Sequence, residues 1–502
     1  MWRANSPVVS DDADAAADDD DDLTLRSLSL IPEYFLHRGS LAVYRFQRLG
    51  LFLLPSFIAR GGAPADGEKA GAVKSRDTDF LDGLRGVASF IVVIHHLTRD
   101  PYQASQFGFG SSEDNWHVLQ LPFLRLIYEG GAMVAIFFVV SGFALTSKGV
   151  QLIRSQSPSA FKVLASSTFR RSVRLFLPSV AVTFMAFLLQ RMGRLKDHTK
   201  KHPVETTLAA ETVLYLAFLK GMLNVYTWDE YYGFYNPHLW TIAVEFRCSM
   251  IVFLGLLGLS RTRTAVRIGT ETLMLFHAAW NDRWEVMAFI GGLLIAEEFY
   301  HRKENAAAGY TLLARDVCLE KDVRFASPAN TKCPRTKTLL YSVLLVFGLF
   351  LASFPHHLGC ESIGFSWVCE LDWHPEHKQW HWTSTYAAML IVLSISNLPA
   401  VQQVFTTPVA SYLGKISYAL YLTHGILLRA FVAPVQKKLI KLASTGPEIG
   451  FHMAIFSSGI LLLLVAIPCA DLVWRAVDAP SVDLARWLET KCAYEEKPVH
   501  RV

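Results

Sequence analysis

The chain predicts an all-α fold, a polytopic transmembrane helix bundle of about ten spans. Three observations carry that expectation. Of 502 residues, 52 % are hydrophobic and 18 % charged, with a positive mean hydropathy, a balance that soluble domains rarely show. Apolar windows long enough to cross a ~30 Å hydrocarbon core recur along the chain. Basic residues gather between these windows, as expected of cytoplasmic loops. The net charge of +4 is small and dispersed, so no basic domain points to nucleic acid.

Residues 1–78 precede the first span. The run DDADAAADDDDD repels itself and has nothing to bury, so 1–40 reads as a disordered acidic tail. Because that run precedes any apolar stretch, internal spans rather than a secretory signal are expected to start insertion. Residues 41–59 carry Arg45 and Arg48 and break at Pro55, the pattern of an interfacial helix. A polar linker follows.

The membrane domain covers 79–482, with spans expected near 80–97, 130–149, 173–192, 207–226, 238–258, 284–300, 336–354, 382–398, 410–432 and 451–476. A weaker window at 264–280 contains Arg267 and Glu271 and is either an eleventh span or part of a tilted helix. With the amino-terminal tail cytoplasmic, ten spans put loops 150–172 and 301–335 inside. They put the Cys360/Cys369 loop outside, where the two thiols are close enough in sequence to pair. Residues 191–202, rich in Lys and Arg, fall outside, against the charge rule. Residues 483–502 form a cytoplasmic tail. Seven cysteines are too few for a disulfide scaffold and show no metal spacing; no metal site is expected.

The first span, FLDGLRGVASFIVVIHHL, carries Asp82, Arg85, Ser89, His95 and His96. At ~100° and ~1.5 Å per residue, Arg85 and His96 share one helix face ~16 Å apart, with Ser89 near the same stripe. Charged groups at membrane depth are costly unless they face a polar cavity, so a shared face reads as functional; the bland alternative is that each marks a helix end. Glu129 precedes Gly130-Gly131 at a span entrance, and Ser141-Gly142 interrupts the apolar run behind them. Arg170, Arg171 and Arg174 cluster at the mouth of the third span, suited either to phosphate or to the positive-inside rule. Glu245 lies seven residues after His238 and is expected either to share a polar site with it or to pair with an arginine. Tyr418 and His424 lie in the span LGKISYALYLTHG. Asp471, Arg475 and Asp478 read as an ion-pair staple at the end of the last span.

These segments, in order FLDGLRGVASFIVVIHHL, GGAMVAIFFVVSGFAL, FRRSVRLFLP, HLWTIAVEF, LGKISYALYLTH and VDAP, resemble the membrane-bound acyltransferase 3 family over about residues 79–482. The acidic tail and the long 301–335 loop look like fungal members. The chain departs from the family pattern in having Phe246 after Glu245, where a second acid is common, and Asp478 where Glu is common. The resemblance implies an integral-membrane O-acyltransferase, in the endoplasmic reticulum or plasma membrane, moving a short acyl group from acyl-CoA to a hydroxyl of a carbohydrate, lipid or secondary metabolite. Acyl-CoA is then a co-substrate and no cofactor stays bound. In that scheme His96 is the general base. Arg85, with Arg170, Arg171, Arg174, Gly130 and Gly131, serves the CoA phosphates or the thioester carbonyl. Glu129 or Glu245 orients His96, and Ser89, Ser141, Tyr418 and His424 are further polar candidates. Two rival readings are a proton-coupled small-molecule transporter, weakened by the lack of an internal repeat, and a non-catalytic module whose charges tie helices together. The aromatic, His-rich loop at 355–381 is either an acceptor surface or an interfacial belt.

Overall fold

The computed structural model describes residues 76–195, 207–317, 335–371, 379–444 and 448–493. The chain divides into two units, 1–67 and 68–502, and every described residue belongs to the second. The acidic tail, the interfacial helix expected at 41–59, most of the linker, much of the 191–206 and 301–335 loops and residues 494–502 lie outside the described residues.

The fold is all-α. Its helices are α1 (Asp79–Thr98), α2 (Gly130–Arg154), α3 (Ala160–Arg191), α4 (Leu208–Met222), α5 (Trp240–Leu259), α6 (Thr264–Trp280), α7 (Trp284–Val317), α8 (Arg335–Leu351), α9 (Ser366–Leu371), α10 (Gln379–Asn397), α11 (Pro399–Phe405), α12 (Pro408–Leu427), α13 (Ala433–Ala443), α14 (Glu448–Val473) and α15 (Ala479–Cys492). Among the described residues the single β-bridge joins Phe107 to His357.

Two ends of the bundle can be followed, one holding Arg85 and the other His96. Helix α1 runs from the arginine end to the histidine end. Helix α2 starts against the His95 ring and returns to Arg154, and α3 leads back to Gln190. Helix α5 starts beside His238 and descends. Helix α6 leaves a cavity lined by Arg154 and Arg267 and arrives where Asp282 accepts a hydrogen bond from Trp382 Nε1 at 3.1 Å. Helix α7 begins there, with Trp284 stacked 4.6 Å from His381, and carries Glu297 down to Arg154. Helix α8 rises to the His356–His357 loop. Helix α10 descends to Ser396, whose carbonyl accepts from Arg302 at 2.9 Å. Helix α12 rises to His424, and α14 descends from His452, stacked on Tyr102, to Asp471.

By these end contacts ten helices link the arginine end to the histidine end among the described residues, a set that differs from the windows expected. Helix α4 does not cross: its Glu211 and Phe218 share one cavity with Gln190 and Tyr231 to Tyr235, all at the histidine end. Helix α6 does, and its charges explain the weak apolar signal. Arg267 is buried and gives two hydrogen bonds to Glu297, at 2.6 and 3.1 Å, while Arg154 reaches the same carboxylate at 2.8 Å. By length and apolarity alone six helices qualify as membrane spans, or seven with α10 and α11, which meet at 106°. The remaining crossings are too short or too charged to pass on composition.

Two close helix contacts place the elements that matter. A Cβ at Gly86 would fall 2.4 Å from the Gly414 backbone nitrogen, so α1 and α12 touch backbone to backbone. A Cβ at Gly142 would fall 2.1 Å from the Phe289 carbonyl oxygen, locking α2 to α7 in the same way. The disulfide Cys360–Cys369 closes the loop between α8 and α10, as the spacing allowed.

Candidate active site

The α1 face predicted from helical geometry turns inward and is lined on its far side by α5 and α12. Near the arginine end, Arg85 borders a cavity with Phe137, Ser141, Thr241, Glu245, Tyr418 and Tyr421. The Arg85 Nε is buried without a hydrogen-bond partner, and its Nη1 lies 4.0 Å from Asp82. Glu245 accepts from Arg171 at 2.6 Å and from Ser141 at 3.1 Å; Arg171 also donates to Ser249 at 3.0 Å. Tyr418 donates to the Leu175 carbonyl at 2.6 Å. The cavity is narrow, about 30 Å³, close to the room one or two waters need. A thioester must part these side chains to pass.

Tyr421 links this cavity to the histidine end. Its hydroxyl donates to the His238 carbonyl at 2.8 Å and lies 2.8 Å from Thr241 Oγ1. Its ring sits 5.8 Å from that of His424. There three imidazoles meet: His96 and His238 at 4.0 Å between centroids, His96 and His424 at 5.2 Å, His238 and His424 at 5.0 Å. His238 comes from the turn Pro237–Leu239 that leads into α5. Gly425 leaves room for it, because a Cβ there would stand 2.5 Å from His238 Nε2. His424 is fully buried. Its Nδ1–H donates to the Tyr421 carbonyl at 2.7 Å, and its Nε2 has no partner.

His95, next on α1, turns the other way. It lines a second cavity of about 290 Å³ with Arg99, Gln106, His356, His357 and Trp380. Its ring is 5.1 Å from His96. Behind it Glu129 is buried, accepting from Arg125 at 2.9 Å and lying 3.2 Å from His356 Nε2. Burial alone would favour the neutral acid, but His356 and Arg125 outweigh it and hold the Glu129 carboxyl down to about 2.

The predicted residues thus divide. Arg85, Glu245, Ser141, Arg171 and Tyr418 meet at the first cavity, and His96 and His424 meet at the imidazole cluster. Neither Glu129 nor Glu245 orients His96: each is bound to an arginine, and the residues against His96 are imidazoles. Gly130 and Gly131 do not sit with the arginines. They press against His95 and against His356 and Trp380 at the opposite end, where small residues let those rings approach α2. Arg170 pairs with Glu489 on α15 at 3.2 Å. Arg174 and Arg85 both face Asp478, while Asp471 and Arg475 form the expected staple at 2.8 Å. Ser89 is buried and satisfied on its own helix by the Gly86 carbonyl at 2.8 Å. His238 and Glu245 diverge, one to the cluster and one to Arg171. Thr241, Tyr421, His356 and Trp380 complete the two cavities. His356 and Trp380 belong to the aromatic, His-rich loop weighed above as an acceptor surface or a belt, whereas Thr241 had no signal of its own, since hydroxyls are ordinary in spans.

Residues 78–471 match a family model described as an acyltransferase domain. The chain is 29% identical over 453 residues to the O-acetyltransferase PaAT-1 of Phomopsis amygdali, covering 82% of this chain and 84% of that protein. It is 24% identical over 427 residues to Acyltransferase clz18 of Cochliobolus lunatus, covering 70% and 83%. No solved structure matches.

Proposed function

The chain belongs to this acyltransferase family, and from that premise we propose that it moves a short acyl group, acetyl in the first instance, from acyl-CoA to a hydroxyl of an acceptor. The relative named an O-acetyltransferase supports the choice of group and of bond. The observation that carries the reading is the run of polar side chains from Arg85 through Tyr421 and His238 to His96, with one cavity at Arg85 and another beside the neighbouring His95.

In this scheme the acyl-CoA approaches the arginine end. Arg171 and Arg174 meet its phosphates, and the free Nε–H of Arg85 is directed at an oxygen of the CoA chain, so that the thioester extends past Tyr421 towards His96. The acceptor enters by the cavity at His95, where Trp380, His356, His357, Arg99 and Gln106 line its path, and its hydroxyl passes the His95 ring, 5.1 Å from that of His96, to reach the base. His96 takes the hydroxyl proton as the oxygen attacks the acyl carbon. The C–S bond then breaks and His96 returns the proton to the departing CoA sulfur. The arginine end faces the cytoplasm and the disulfide loop faces the opposite, oxidising side.

Purified protein supplied with acetyl-CoA is expected to release CoA only when an acceptor is present. His96→Ala and Arg85→Ala should each fold in normal amounts and lose ~10²-fold or more in turnover, the usual scale for a general base. Near-normal turnover in a folded His96→Ala protein removes His96 from the chemistry.

A further inference from the structure

We propose that His96, His238 and His424 form a binding site for a divalent transition-metal ion of the Zn²⁺ type, and that filling it switches the transferase off. The binding half stands on geometry alone; the switching half rests on His96 being the base.

Three side chains from separate elements supply one imidazole each. Their donor nitrogens all lie within 4.8 Å of one another. Around Zn²⁺, with Zn–N near 2.0–2.1 Å, tetrahedral nitrogens stand ~3.3 Å apart, so the rings need to close by at most about 1.5 Å. Neutral imidazole is a ligand suited to Zn²⁺, Cu²⁺ and Ni²⁺, and three histidines with an open fourth position make a complete protein donor set.

The state of His424 points to a ligand. Its Nδ1–H is committed to the Tyr421 carbonyl, which leaves the lone pair on Nε2. That nitrogen is fully buried and has no partner within the protein. A histidine pinned through one nitrogen by a backbone carbonyl, with the other bare, is the arrangement that orients metal-binding imidazoles. Gly425 adds to this: with a Cβ at that position, His238 could not lie against α12 beside His424. The carboxylates nearest the two cavities, Glu245 and Glu129, are both bound to arginines, so the donor set is neutral. The bound ion keeps its charge and draws a hydroxide as fourth ligand. Coordination takes up the His96 lone pair that would otherwise accept the hydroxyl proton.

The test uses the full-length protein in detergent, washed with chelator and titrated with Zn²⁺, and with Co²⁺ as a spectroscopic probe. One ion per chain is expected, with the visible bands of four-coordinate Co²⁺, which report the site without any substitution. His238→Gln and His424→Gln, checked for unchanged melting, should weaken Zn²⁺ binding by at least ~10–100-fold. Absence of saturable binding, or equal binding by both folded variants, overturns the site. In the wild-type protein Zn²⁺ should abolish acetyl-CoA-dependent transfer and chelator should restore it. Binding at these histidines with transfer intact leaves the site standing and overturns both the switch and the role of His96 as base. A copurifying ion whose removal stops transfer overturns the switch alone.

Discussion

Arg125 shows how a full charge persists out of water. Its guanidinium is wholly buried, yet it meets the Glu129 carboxylate and the carbonyls of Phe107 and Ser105. Removing one partner of such a pair strands the other, typically at about 3–5 kcal/mol. Arg125→Met is therefore expected to lower the melting temperature of the solubilised protein markedly, and an unchanged melt argues that the pair contributes nothing. The pH dependence follows from the same carboxylate. Its folded value, about 2, is depressed below the ordinary 4.5, so its contribution is complete above 4.5 and is lost as pH falls towards 2. Stability should hold from pH 7 to 5 and then decline, and Glu129→Gln should flatten that part of the curve. Glu129 was legible as an acid at a boundary. Its partner His356 was not, because it lies more than two hundred residues away, whereas Arg125, four residues off, was within reach of a local reading.

At the level of elements, glycines separate into those that touch a neighbour and those that do not. Gly142 meets the Phe289 carbonyl, whereas a Cβ at Gly258 on α5 would meet nothing within 4 Å. Gly142→Ala should cost about 1–3 kcal/mol through forced separation of α2 and α7. Gly258→Ala should be neutral or stabilising by up to ~1 kcal/mol, since alanine is the better helix former. Thermal melts of the two variants in one detergent distinguish the cases; equal losses would show that helix propensity and not contact decides. The exchange of α4 for α6 has a related cause. A hydropathy window counts Arg267 as a cost, but that side chain reaches Glu297 on another helix. The run at 207–226 carries Glu211 and Lys220 but is otherwise apolar, yet Tyr215 donates to the Val180 carbonyl and Tyr235 donates to Glu211, which keeps α4 beside one half of α3.

For the whole molecule, sidedness is the property to measure. Cys492 sits on α15, whose Glu489 pairs with Arg170 at the arginine end, while Cys360 lies in the disulfide loop at the other. In sealed vesicles with the cytoplasmic face outward, an impermeant maleimide should label a variant retaining Cys492 alone. A variant retaining Cys360 alone should label only after permeabilisation. The reverse pattern overturns the proposed direction of acyl-CoA entry.

By itself, the chain determined the class of fold, the alignment of Arg85 with His96 and the family. Those depend on hydropathy, on the helical period and on ordered local motifs, all of which act within a few turns. Only the tertiary structure decided which helices cross, that Glu129 and Glu245 serve arginines, that Gly130 and Gly131 lie with His95 and Trp380, and that His238 joins His96 and His424. Apart from the pairing of Glu129 with Arg125, four residues away, these are contacts between segments far apart in sequence, and the choice of partner for a buried charge or an imidazole is made by whichever group the packed backbones bring within reach.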